Sequence, residues 1–439
     1  MCEDDYYKYG DIYVAAPDTV ALSNPSDCRT VMGSHSFKKS QFYEGLRVID
    51  ENMLLTRDAA FNQLRRRQIG PAFTPGYLQC MEPTILECGI LALKKKWDKL
   101  INNGHGSVKI DYHMDFSLAT FDVISALGYS QQFHAVENSE SKIILWMTKY
   151  RWLSVINAIC PLATTFPFSL LIRPLLKSKE EYVRFTNAAA ERRREQTRRG
   201  EKVPNDILQA LIDGEDPESK AKMTPTQVTA EHISILGAAT DTTALTMTWA
   251  LHYLMLYPEC YRKATEEVRS AFTSDHLIGY SEGRSQLPYV EACIYESLRI
   301  RAVTGGIMLR DVPPGGVTFQ GHYLPAGMVV GINIAGLNHH QDVWKDSKRF
   351  MPERFIDDPK LKQSVMTFSS GVRICPGRAL AWSEMITIVA NLLKDYDFKL
   401  PKGSLYGPHN TDESGMPVVM PRPKNPERDC IIIVTKRML

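Results

Sequence analysis

Apolar positions in this chain recur mostly at helical spacing. Strand-like patterns are confined to the two ends and to a stretch after residue 306. Residues 11–15 and 19–22 are β-rich and flank Pro17-Asp18, which predicts a hairpin. Residues 58–70, 77–100, 116–127 and 177–199 carry helix-forming composition with periodic apolar positions. The clearest helix opens at Thr224-Pro225-Thr226-Gln227, a capping box with proline at the first helical position. It runs to about Tyr257, where Pro258 stops it, a length of roughly 50 Å. From residue 233 to residue 256 its only charge is Asp241, so nearly every face of this helix is predicted to be buried. A further helix spans 288–301. Short strands follow around 307–310, 317–323 and 328–333, punctuated by Pro313-Pro314-Gly315-Gly316. A last long helix covers 378–396 and a β-rich tail covers 430–435. With no internal repeat and no dividing linker, the pattern predicts one domain over 1–439, mainly α with a minor β-sheet region.

Composition narrows the function classes. Of 439 residues, 44% are hydrophobic and 23% charged, and the net charge is +2, so no bulk field draws the chain to nucleic acid. The basic runs 65–67 and 192–199 read as solvated helix faces. The nine cysteines form no C-x-x-C pair, and no histidine sits at zinc-ligand spacing from them. That usage suits a reducing compartment, where a special cysteine acts alone. His339 and His340 are adjacent and aim in different directions. No secretory signal opens the chain. The uncharged stretch 153–172 is interrupted by Asn157, Pro161, Thr164, Thr165, Pro167 and Ser169, so it reads as a buried or membrane-grazing loop with short helices.

The chemistry concentrates between Phe368 and Gly377, a loop that delivers Cys375 to a helix N-terminus. Gly371 and Gly377 permit backbone conformations closed to other residues and the close approach of a flat object. Nearby amides and the positive helix end favour a thiolate over a thiol, and Arg373 supplies a cation suited to a carboxylate. A lone thiolate suits a metal already held by a macrocycle, which is heme. The run matches F-x-x-G-x-R-x-C-x-G at every fixed position, through Phe368, Gly371, Arg373, Cys375 and Gly377. It thereby resembles the heme-binding signature of the cytochrome P-450 family. Two more motifs follow the family's order: Glu296-Ser-Leu-Arg299 resembles its E-x-x-R, and Pro352-Glu-Arg354-Phe its P-E-R-F. Glu296 and Arg299 lie one helical turn apart, and Arg354 would complete a buried triad. Ala238-Ala-Thr-Asp241-Thr242-Thr resembles the oxygen-activation segment A-G-x-D-T-T, with Ala239 where glycine is usual. A mid-helix threonine can bond back one turn and open the helix, Asp241 offers a proton route, and Thr242 a hydroxyl beside oxygen. The segment 62–73 resembles the helix carrying a heme-propionate arginine, with Arg66 favoured and Arg65 close behind; Arg310 matches a second one.

The resemblance spans most of the chain and is strongest to the fungal microsomal branch. It implies the cytochrome P-450 fold, with heme b (iron protoporphyrin IX) between a long central helix and the cysteine-loop helix, and Cys375 as axial ligand of the iron. It implies a monooxygenase using O2 on a small apolar substrate of secondary metabolism, and electrons from NADPH–cytochrome P-450 reductase. The chain has no G-x-G-x-x-G or G-K-[ST] loop to bind a nucleotide itself. Candidate substrate contacts are Ile235, Ala238, Ala302, Val303, Thr304, Ile307 and Met416, apolar or small and without an ionic anchor. The family's location is the cytosolic face of the endoplasmic reticulum membrane; this chain opens without the anchor and proline-rich hinge of microsomal members, and 153–172 is its candidate for peripheral membrane contact. The alternatives are a heme-thiolate isomerase or dehydratase needing no reductase, against which Asp241-Thr242 argues, and a catalytically silent heme-binding protein.

Overall fold

The computed structural model describes residues 2–402, 420, 423 and 425–438. They form a mainly helical body with three small sheets. The helix Pro225–Leu256 runs through its centre. Its capping box is complete: the Thr224 hydroxyl accepts from Gln227 N at 3.3 Å, and Thr224 N donates back to the Gln227 side chain at 3.0 Å. From Thr243 to Met255 every residue of this helix is buried. Helix Tyr112–Tyr129, capped by Asp111 and buried along nearly its whole length, packs along it. Helices Pro288–Ile300 and Arg378–Asp395 complete the principal core, which includes Phe116, Trp249, Ile294, Trp382 and Ile388.

The predicted hairpin forms between β1 (Ile12–Ala16) and β2 (Thr19–Leu22). With β4 (Ile307–Asp311) and β7 (Val329–Asn333) it makes a four-stranded sheet of order β1-β2-β7-β4, in which β2 and β7 are parallel. The predicted strand 317–323 is instead a hairpin of β5 (Val317–Phe319) and β6 (His322–Leu324). It turns at Gln320 and Gly321, whose φ values of +49° and +80° match the turn that a right-twisted two-stranded ribbon prefers. The third sheet joins β3 (Ser107–Asp111), β9 (Ile431–Lys436) and β8 (Tyr396–Lys399) in the order β3-β9-β8.

The predicted helix 77–100 is broken into Pro75–Gln79, Glu82–Leu86, a π-turn at Glu87–Leu91 and Ala92–Asn103. Pro83 fits only a first helical turn, so the chain must restart there. Pro258 both stops the central helix and opens the next, Pro258–Ala271. The stretch 153–172 covers the end of helix Lys142–Ile159 and two 3₁₀ turns, Pro161–Thr164 and Phe168–Leu170. Leu153 and Ser154 at its start are buried, but Ile159, Leu162, Phe166, Phe168, Leu170 and Leu171 are all exposed. Among the described residues no helix is long and apolar enough to cross a membrane.

Replacing Thr224 with alanine removes one side of the capping box and is expected to destabilise the fold by about 1 kcal/mol. Thr226→Ala, on the same exposed first turn, should stay within about 0.5 kcal/mol. Denaturant unfolding followed by far-UV circular dichroism compares the two variants.

Candidate active site

The loop that presents Cys375 closes on itself before helix Arg378–Asp395 begins. Cys375 N donates to Phe368 O at 2.9 Å, Ile374 N to Gly371 O at 3.2 Å, and Ser369 N to Met366 O at 2.8 Å. The turn requires Gly371: its φ is +65°, and a Cβ there would lie 2.3 Å from the Met32 carbonyl oxygen. Gly377 caps the helix, and the N–H groups of Gly377 and Arg378 favour the charged form of the Cys375 sulfur. The side chain is exposed in area, yet enough protein surrounds it that burial pushes its thiol pKa up. The two amides, with Arg66 and Arg378, offset only part of that rise. The helix end therefore acts in the predicted direction, but burial outweighs it.

Three consecutive arginines on helix Ala59–Ile69 diverge because successive positions turn by about 100°. Arg65 is enclosed, its Nε 3.4 Å from Glu231 and its guanidinium 4.4 Å over the Phe61 ring. Arg67 turns outward to Asp216 at 2.6 Å. Arg66 reaches the cysteine loop, donating to Ile374 O at 2.6 Å and to Asn62 Oδ1 at 3.2 Å. Between Arg65 and Arg66, it is Arg66 that stands beside Cys375. Arg310 on β4 is buried, with its Nη1 on Leu309 O at 2.8 Å. Among the described residues, the buried Nη1 of Arg373 has no hydrogen-bond partner. Burial, then the charges of Arg310 and Arg66, pull its pKa down to about 10. Lys39 joins this group. Burial first, then Arg310, Arg373 and Arg66, hold its pKa well below the ordinary lysine value. Four cations therefore crowd one side of the cysteine loop.

On the central helix, Ala238 is exposed and Ile235, Gly237, Ala239, Asp241 and Thr242 are half-buried, an open face on an otherwise enclosed element. The Thr242 hydroxyl donates to Ala238 O at 2.7 Å. The helix nevertheless continues unbroken through this point, because the back-bond forms without displacing the ladder. Asp241 is ion-paired with Arg151, which arrives from helix Lys142–Ile159. The Ala239 methyl, in place of the usual glycine, packs against the apolar cluster of Ile69, Leu236 and Leu380.

Below the loop, Glu296 and Arg299 are wholly buried. Arg299 binds the carboxylate through Nε at 2.7 Å and Nη2 at 2.8 Å, and Arg354 Nε donates to Glu296 Oε1 at 3.1 Å. Of the candidate substrate contacts, Ile235, Ala238, Thr304 and Ile307 retain open surface. Ala302 and Val303 do not: each is buried, in separate apolar clusters. Met416 lies outside the described residues. Sequence reasoning missed Lys39 and Arg151. The only signal for Arg151 was its place at the edge of the uncharged stretch, and Lys39 carried none.

The sequence model of the Cytochrome P450 family matches residues 1–426. The chain belongs to the cytochrome P450 family. Its cofactor is therefore heme. The chain is 44% identical to the cytochrome P450 monooxygenase helB2 of Aspergillus fumigatus, over 98% of this chain and 88% of that protein. It is 42% identical to helB1 of the same organism, over 99% of this chain and 77% of that protein. Among solved structures it resembles the crystal structure of the cytochrome P450DA heme domain, with a TM-score of 0.81 at 16% identity over 97% of this chain and 89% of that one. That likeness concerns the fold. The donor set of this P450 suits the cofactor: an open sulfur, an orphaned buried guanidinium nitrogen and a group of mutually repelling cations match an iron whose macrocycle carries two carboxylates.

Replacing Glu296 with glutamine leaves two buried guanidiniums without their counter-charge, an expected cost of about 3–5 kcal/mol. The variant should give little holoprotein, measured as heme per folded chain and by thermal unfolding.

Proposed function

We propose that this P450 is a heme-thiolate monooxygenase that inserts one oxygen atom from O2 into a small apolar substrate of secondary metabolism. The observation that carries this reading is the open face of the central helix, where Asp241 and Thr242 stand half-exposed on an element buried elsewhere. Cys375 would hold the iron, and Arg66, Arg310 and Arg373 the heme carboxylates. Bound heme supplies the iron at which dioxygen is reduced. Thr242 contributes a hydroxyl already oriented by its bond to Ala238, and Asp241 a carboxylate through which a proton can pass. Ile235, Ala238, Thr304 and Ile307 present a surface without charge, which selects apolar substrates by exclusion. The Glu296–Arg299–Arg354 triad positions the proximal core.

Electrons come, on this reading, from NADPH–cytochrome P-450 reductase. The exposed apolar side chains of 153–172 suit peripheral contact with the cytosolic face of the endoplasmic reticulum membrane.

Dithionite-reduced protein should give a strongly red-shifted Soret band with carbon monoxide, and Cys375→Ser should move that band to the ordinary carbonyl-heme position. With the reductase and NADPH, Thr242→Ala is expected to keep its heme while diverting reducing equivalents to hydrogen peroxide, about tenfold or more in product per NADPH. Coupling equal to the wild type in that variant would remove Thr242 from the proposed role. An absence of reductase-supported oxygen consumption would favour an isomerase or a silent heme-binding protein.

A further inference from the structure

Lys39 is a buried lysine set among arginines. Its backbone bridges that of Arg310, and the flanking bonds hold the register: Asp311 N donates to Lys38 O at 2.8 Å and Ser40 N to Leu309 O at 3.4 Å. Arg57 fixes the same segment by donating through Nε to Lys39 O at 2.8 Å. The residue is 8% exposed. Its ammonium lies 4.5 Å from the Tyr43 ring centroid and donates to Leu54 O. The strongest charges acting on it are Arg310, Arg373 and Arg66, all of its own sign.

Acids of the segments around it are committed elsewhere: Glu51 accepts from the Thr56 hydroxyl. Glu44 and Asp311 accept from Arg57 at 3.2 and 2.8 Å. Asp58 caps the helix Ala59–Ile69 through Ala60 N and Phe61 N. A buried ammonium beside three guanidiniums is costly unless an anion neutralises the group. Here the family's cofactor supplies two carboxylates, and Arg373 offers an unmatched buried donor on the same side.

We propose that Lys39 is a heme-binding residue whose ammonium pairs with a heme carboxylate, so that both carboxylates are held by a cradle of Lys39, Arg66, Arg310 and Arg373. A neutral hydrogen-bond donor at position 39 would satisfy Leu54 equally well; only the carboxylate gives the charge a purpose. The inference depends on heme as cofactor and not on the proposed oxygenase chemistry.

Two variants separate charge from packing. Lys39→Gln keeps a donor for the Leu54 carbonyl and loses the charge, whereas Lys39→Arg keeps the charge. The readouts are the rate of heme transfer from each holoenzyme to apomyoglobin and the propionate-bending band in its resonance Raman spectrum. Lys39→Gln is expected to release heme about tenfold faster or more and to shift the propionate band, with Lys39→Arg close to the wild type in both. Wild-type release by Lys39→Gln would overturn the proposal. So would faster release with an unmoved propionate band, because Lys39 would then act through Leu54 and Tyr43 alone. Should the glutamine variant not fold, the arginine variant decides: wild-type heme retention and an unshifted band support a charge role, and rapid release overturns it.

Discussion

The carboxylate of Glu296 sits at zero exposure between two guanidiniums, and the geometry of the cysteine loop depends on it. A buried ion group of this kind adds little net stability, since removing three charges from water costs nearly as much as their attraction returns. What it adds is position. Arg299, once anchored by Glu296, donates through Nη1 to Asn338 O at 2.9 Å. Asn338 in turn accepts from Met366 N at 3.0 Å and donates to Thr367 Oγ1 at 3.2 Å. Thr367 bonds back to Leu298 O at 2.5 Å, and its own carbonyl receives Thr304 Oγ1 at 3.0 Å. A charge on helix Pro288–Ile300 thus fixes, through one asparagine and one threonine, both the start of the cysteine loop and the strand entry that bears Thr304. The rest of the loop is shaped by its own backbone bonds, by Gly371, by Arg66 on Ile374 O and by Ser369 and Ser370 on the Met32 sulfur. Glu296 therefore governs Cys375 without lying next to it in sequence.

Much of this was legible in the residues because the signals were local. Thr224 and Gln227 cap a helix by a pattern three residues wide, and Pro225 can stand only in a first turn. The cysteine loop and the triad are readable because glycine, cysteine and paired charges at fixed spacing have few other uses. What escaped depended on distance. The break in 77–100 turns on Pro83 and on the π-turn Glu87–Leu91 that follows it. Helix Lys142–Ile159 shows apolar side chains on several faces, so it has no clean period to read. Lys39 and Arg151 look like any surface cation until the fold brings one beside Arg310 and the other to Asp241.

The two faces of the site pose opposite electrostatic problems. On the cysteine side, burial raises the Cys375 thiol while Lys39 and Arg373 are driven down, so the polypeptide alone favours neutral or less charged forms. A group that brings positive charge to the sulfur and negative charge to the cations relieves both at once. Neither a bare metal ion nor a simple anion does so. On the opposite face the problem is already solved within the chain, because Asp241 has Arg151. The consequence is an asymmetry in what the fold waits for: its cysteine side is completed by heme, whereas the acid of its central helix is held by a neighbouring helix whose far end runs into the exposed apolar stretch. Helix Lys142–Ile159 thus carries both the ion-pair partner of Asp241 and, at its far end, the start of the exposed apolar stretch.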